Sequence, residues 1–269
     1  MYRDIFVQKT DNNINYYESK KRKISPETKN GVTSALEMAK KNTNLTFFKS
    51  IDTHVTTSFK ELIPFNSFAQ DIIHEENNRN VGLFYFSDTD IYINEKAMKI
   101  YLKKHKNSSF EQIAEHVATH EIGHYFDEYY GCKIKDYAEI IEFFNSDYFY
   151  NTYSDLKREE LITQLHNNNS LSDSADYKKA VLNDIQNLEE EELEKFDMLK
   201  NVCKENIDYE HEARSELFAN LFAYILGSDD GFRENYLEYF PETTIVVENY
   251  IKKYKGEEKN NQIKFDILF

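Results

Sequence analysis

The stretch HEIGHYFDEYYG, residues 120–131, carries two histidines four apart with a glutamate directly after the first. On a helix, positions i and i+4 share a face, so His120 and His124 project side by side. Two imidazoles placed in this way bind one zinc ion through nitrogens at about 2.0–2.1 Å. Glu121 sits about 100° further round the helix, beside such an ion rather than on it. There it can take a proton from a zinc-bound water, whose pKa falls to about 7. The spacing supplies two ligands and one general base. The plainer alternative is a helix that carries two hydrogen-bonded histidines.

Working outward, Ser108 and Ser109 precede Glu111 and Gln112 at capping-box spacing, which starts a helix that should end at Gly131 as a C′ glycine. Ile113 and Val117 lie on the same face as His120, where a cleft wall or core belongs. A catalytic zinc needs a third protein ligand and an open fourth position. A helix predicted over 209–226 offers Glu212 and Glu216, again four apart on one face, and periodicity does not choose between them. Ala219, Asn220 and Ala223 share that face, small enough to pack near a metal, while His211 points elsewhere, toward the surface. An apolar stripe of Leu217, Phe218, Leu221, Phe222 and Ile225 faces a core, and Gly227 ends the helix.

The rest of the chain supplies a scaffold. Residues 1–24 read as a polar tail that ends in the basic run Lys20, Lys21, Arg22 and Lys23. Ser25, Pro26 and Glu27 read as N-cap, first helical residue and acidic first turn of a helix reaching about residue 41. Residues 45–48 and 54–59 are expected to be short strands. Residues 81–86 and 91–94, separated by a polar turn, read as a β-hairpin. Residues 145–208 are strongly acidic around Glu189, Glu190, Glu191 and Glu192 and suggest an exposed helical hairpin. A last amphipathic helix follows Pro241, with Ile245, Tyr250 and Ile251 on its apolar face. No internal repeat is visible.

Composition bounds the function. The chain has 269 residues, 20 Tyr and 20 Phe, enough aromatic material for one large core or two compact lobes. Its formal net charge of -15 argues against nucleic acid as a partner, because phosphate backbones demand a basic footprint. A basic protein or peptide partner fits better. Two cysteines, Cys132 and Cys203, make no disulfide framework. No apolar run approaches a membrane span, and the first residues lack the apolar core of a secretory signal. The expected setting is the cytoplasm, or outside the cell for a mature or leaderless form.

The motifs resemble those of the catalytic domain family of anthrax toxin lethal factor, which includes the clostridial Pro-Pro endopeptidases. The family pattern H-E-x-G-H-x-x-D-x-Y-x-G is matched by His120, Glu121, Gly123, His124, Asp127, Tyr129 and Gly131. Its second motif is matched by Glu216, Leu217, Phe218 and Ala219, with Tyr209 seven residues before the glutamate, and a late P-x-T by Pro241, Glu242 and Thr243. The resemblance implies a zinc endopeptidase of the gluzincin type, bacterial and acting as a toxin or virulence factor. It assigns His120, His124 and Glu216 as metal ligands, Glu121 as base and Tyr209 as oxyanion stabiliser. Two features depart from the pattern. The 85 residues from His124 to Tyr209 imply an inserted acidic segment, and one turn beyond Glu216, where a carboxylate is expected, stands Asn220, whose carbonyl can still accept a ring N–H.

The expected fold is therefore α+β, a zincin-like peptidase domain over 25–269 with an acidic helical insertion at about 145–208. A small sheet-bearing N-terminal lobe and a helical C-terminal lobe should flank the cleft. The expected function is hydrolysis of a protein substrate with one zinc ion per chain. Two alternatives stand beside it. One is a cytoplasmic H-E-x-x-H peptidase of mobile-element type acting on a repressor, which would use Glu212 as ligand. The other is a zinc-stabilised binding module without catalysis.

Overall fold

A computed structural model of the chain describes residues 5–9, 14–19, 21–44, 47, 51–58, 82–85, 90–103, 107–131, 170–189, 192 and 207–255. In chain order the elements are strands β1 (Ile5–Lys9) and β2 (Ile14–Ser19), helix α1 (Pro26–Asn42), and strands β3 (Asp52–Thr56), β4 (Gly82–Tyr85) and β5 (Asp90–Asn94). Helices α2 (Glu95–Tyr101) and α3 (Phe110–Gly131) follow, then a 3-10 turn (Leu171–Asp173) and helices α4 (Ala175–Gln186), α5 (Ile207–Leu226), α6 (Arg233–Tyr239) and α7 (Pro241–Lys255). The class is α+β.

The five strands form one mixed sheet in the order β1-β2-β3-β5-β4. β2, β3 and β5 run parallel, and antiparallel hairpin partners close both ends. The hairpin expected from 81–94 is present, with Gly82 opposite Ile93 and Tyr85 opposite Asp90. Period-two alternation sorts the central strands. Ile14, Tyr16, Val55, Ile91 and Ile93 enter the core. His54 stacks on both Tyr17 and Tyr92, and the Tyr17 hydroxyl meets His54 Nδ1 at 2.8 Å.

Residues 1–24, expected to be a polar tail, instead include β1 and β2. Residues Ile14 to Glu18 are all buried. Glu18 tolerates burial because Lys29 at 2.7 Å, Lys23 at 3.2 Å and the Ile24 N–H at 3.3 Å satisfy its carboxylate. Lys23 of the basic run thus serves as a counter-charge to buried Glu18. The strand expected at 54–59 is present as β3, which starts two residues earlier and ends at Thr56; of 45–48 only Phe47 is described.

α3 is the central element, buried nearly all round, as an interior helix must be to satisfy its apolar surface on several sides. Its start is the anticipated capping box: Gln112 N–H donates to Ser109 Oγ at 3.1 Å, and Ser109 N–H to Gln112 Oε1 at 2.8 Å. At its far end Gly131 is still helical rather than a residue beyond the helix. α1 packs along α3, its Ser25 cap and Pro26 start as expected, and buries Val32, Ala35, Leu36 and Ala39 at helical spacing. On its other flank α3 packs against α5, where Phe126 meets Phe222 with ring centroids 5.0 Å apart. α5 closes in a Schellman motif: Gly227 takes φ +111°, and the Ser228 N–H reaches the Ala223 carbonyl at 3.1 Å.

The exposed acidic hairpin expected over 145–208 is corrected where the segment is described. Leu171, Tyr177, Val181 and Ile185 belong to the same core as the sheet and α3, so one face of α4 is buried rather than solvated. Asp184 on α4 caps α7, accepting from the Glu242 and Thr243 N–H groups at 3.2 and 2.8 Å, where a carboxylate complements the helix dipole. In α7 itself Val247 and Ile251 are buried, whereas Ile245 is exposed. No helix among the described residues is long and apolar enough to cross a membrane.

Candidate metal centre

α3 and α5 run antiparallel in a register that pairs every fourth residue. His116 stacks on Tyr224 with centroids 4.8 Å apart. One turn on, His120 Nδ1 meets Asn220 Oδ1 at 3.0 Å. One turn further, His124 Nε2 faces Glu216 Oε1 at 3.4 Å. Four-residue steps along both helices keep successive pairs on the shared seam. Gly123 lets the backbones approach at this point, since a Cβ there would stand 2.9 Å from Ala219 Cα.

The register brings His120, His124 and Glu216 together, one ligand atom from each lying within 4.8 Å of the others. His120 Nε2 is 3.1 Å from Glu216 Oε2 and 3.1 Å from His124 Nε2. A tetrahedron with 2.0–2.1 Å arms has edges of about 3.3 Å, so these separations and this donor set fit zinc. Glu212 is exposed and belongs to no such group among the described residues. His211, expected at the surface, instead pairs its Nδ1 with Asp173 at 2.9 Å.

Burial alone would push the His120 imidazole down, but the charge and hydrogen bond of Glu216, with Glu121 and Asn220 adding, hold it up at about 9. Burial pushes Glu216 the other way from the result, and His124 and His120 bring it well below the ordinary carboxylate range. Glu121 is 5% exposed, and burial raises its pKa against the lowering effect of the two histidines. It lies against β4: a Cβ on Gly82 would come 2.8 Å from the Glu121 carboxyl carbon. Glycine at this strand position makes room for the side chain.

Behind the centre, a set of polar groups ties the 3-10 turn to both helices. Asp127, one turn beyond His124, is fully buried and accepts from the Ser172 N–H and hydroxyl, both at 2.7 Å. Next to it, Asp173 accepts from Arg214 at 2.8 Å. On the opposite side, Asp230 accepts from the Tyr101 and Tyr224 hydroxyls at 3.1 and 2.9 Å, and faces His116. Sequence reasoning missed Ser215, whose hydroxyl meets His124 Nδ1 at 3.0 Å; its position beside Glu216 was the one available signal. Tyr209 belongs to the first turn of α5, but its side chain lies outside the described residues, as do Cys132 and Cys203. Comparison with protein-family models, with curated proteins and with solved structures finds no match to this chain.

Proposed function

We propose that this chain is a zinc-dependent endopeptidase of zincin-like, gluzincin type that hydrolyses peptide bonds of a protein substrate. The observation that carries the reading is the meeting of one carboxylate, Glu216, with both Nε2 atoms of the H-E-x-x-H helix, while Glu121 stays buried beside them. The likeness of the motifs to the lethal-factor family supports the same reading. The exposure of Glu212 favours this alignment over the repressor-peptidase alternative.

His120, His124 and Glu216 would hold the ion. Bound there, zinc supplies Lewis acidity toward the scissile carbonyl and the attacking water. Glu121, buried beside both histidines, would take the proton from that water and return it to the leaving amine. Among the described residues β4 is the last strand of the sheet and lies next to Glu121, a place that suits an extended peptide added as a further strand. Tyr209, seven residues before Glu216 on α5, is the proposed donor to the developing oxyanion.

The test is to incubate zinc-loaded protein with a proteome-derived peptide library and identify new termini. Cleavage should fall by about 10²–10⁴ in Glu121→Gln. Zinc binding without any new termini would leave the non-catalytic binding module as the better reading.

A further inference from the structure

The two imidazoles of the candidate centre are each oriented by a neutral group. His120 Nδ1 meets the side-chain amide oxygen of Asn220 at 3.0 Å, and His124 Nδ1 meets the hydroxyl of Ser215 at 3.0 Å. Both partners come from α5, the helix that also supplies Glu216, so ligand and orienting groups move as one unit. An amide oxygen only accepts, which keeps a proton on His120 Nδ1 and leaves Nε2, on the Glu216 side, as the nitrogen for a cation. A carboxylate in that place would do the same and add a negative charge, making the imidazole more basic toward a cation. Neither orienting group here carries a charge.

We infer that this centre is a weakly charged, exchangeable zinc site, in which Asn220 and Ser215 orient the ligands while leaving zinc affinity lower than carboxylate partners would. Occupancy then follows the free zinc concentration, and on the peptidase reading above so does activity. That last step alone rests on the proposed function; the affinity statement concerns the metal only.

Asn220 is half-buried, so an aspartate at 220 is not fully desolvated, and the amide-to-carboxylate exchange keeps the shape of the side chain. The experiment measures the zinc dissociation constant by competition with a chromophoric chelator for the wild-type chain, Asn220→Asp, Asn220→Ala and Ser215→Ala. Circular dichroism checks that each is folded. Asn220→Asp should bind zinc about 10-fold more tightly or better, given that partners behind metal-bound histidines tune affinity by about 10–100-fold. Asn220→Ala and Ser215→Ala should weaken binding, each by less than that range. If folded Asn220→Asp binds zinc no more tightly than wild type, the inference is overturned while the peptidase reading stands. If Asn220→Asp misfolds, the alanine variants decide, and a loss above about 10-fold in either overturns it. A wild-type chain that binds no zinc overturns both. Wild-type binding with the expected affinity order but no proteolysis supports the inference and removes only the peptidase reading.

Discussion

Gly123 on α3 and Ala219 on α5 are in backbone contact: a Cβ on Gly123 would stand 2.9 Å from Ala219 Cα and 3.0 Å from its carbonyl oxygen. The contact falls between the His120–Asn220 and His124–Glu216 pairs, so it sets the helix separation where the ligands meet. Because the obstructing atoms are backbone, Gly123→Ala must push the helices apart. The expected cost is about 1–3 kcal/mol, the range for overpacking, together with weaker zinc binding. Thermal melts with and without zinc, and chelator competition, check both; unchanged zinc affinity would mean that the helix separation does not control the site.

Glu121→Gln should keep the metal and lose about 10²–10⁴ in rate, the usual worth of a positioned general base. Gly82→Ala tests the same residue from across the sheet. The new methyl group displaces the Glu121 carboxylate from its place over β4, so peptide cleavage should slow while zinc stoichiometry holds. Cleavage assays paired with metal analysis separate this outcome from loss of the ion.

The choice of third ligand has its own test. Glu216→Ala should strip zinc from the chain. Glu212→Ala, at an exposed position one turn away, should leave binding close to wild type. One turn is about 5.4 Å, well beyond a 2 Å coordination bond, so both cannot serve. Zinc titration of the two variants with the reverse result would point to the repressor-peptidase alignment instead.

Asp127 is expected to act as a hydrogen-bond acceptor more than as a charge. Burial, with Glu128 adding, holds its carboxyl well above the ordinary range, against the two bonds from Ser172. Asp127→Asn keeps an acceptor for the Ser172 N–H and a partner for its hydroxyl. Asp127→Ala strands a buried N–H, at a cost of about 1–3 kcal/mol for that group. Urea unfolding should therefore rank wild type and Asp127→Asn close together, with Asp127→Ala clearly below.

Asp173 should govern acid stability. Burial would raise its pKa, but the close His211 ring and the hydrogen bond from Arg214 hold it well below the ordinary carboxylate range. A carboxylate depressed in the fold contributes stability that is fully present above its unfolded pKa of about 3.9. That contribution disappears as pH falls through the lower folded value. Asp173→Asn should therefore be less stable than wild type near neutrality, with the gap closing as the solution is acidified below about pH 4. Denaturant melts from pH 7 downward measure the gap, and a gap that stays constant with pH would remove Asp173 from this role.

The sequence by itself determined what depends on neighbours within a turn or two: the capping box at Ser109, the shared face of His120 and His124, the place of Glu121, the hairpin over 82–94 and the glycine stop at 227. These follow from helical and strand periods and from backbone bonds that close locally. Burial of β2 was hidden because its partners are distant in sequence: β3 runs alongside, and Lys29 neutralises Glu18. The acidic segment was equally opaque, since its charge density masked the one face by which α4 enters the core. Above all, Glu212 and Glu216 share a helix face and a local environment, so no periodicity separates them. Only the antiparallel register of α5 on α3, held by close packing at Gly123, decided that Glu216 meets the histidines. That register is a long-range packing choice, which local propensity does not encode.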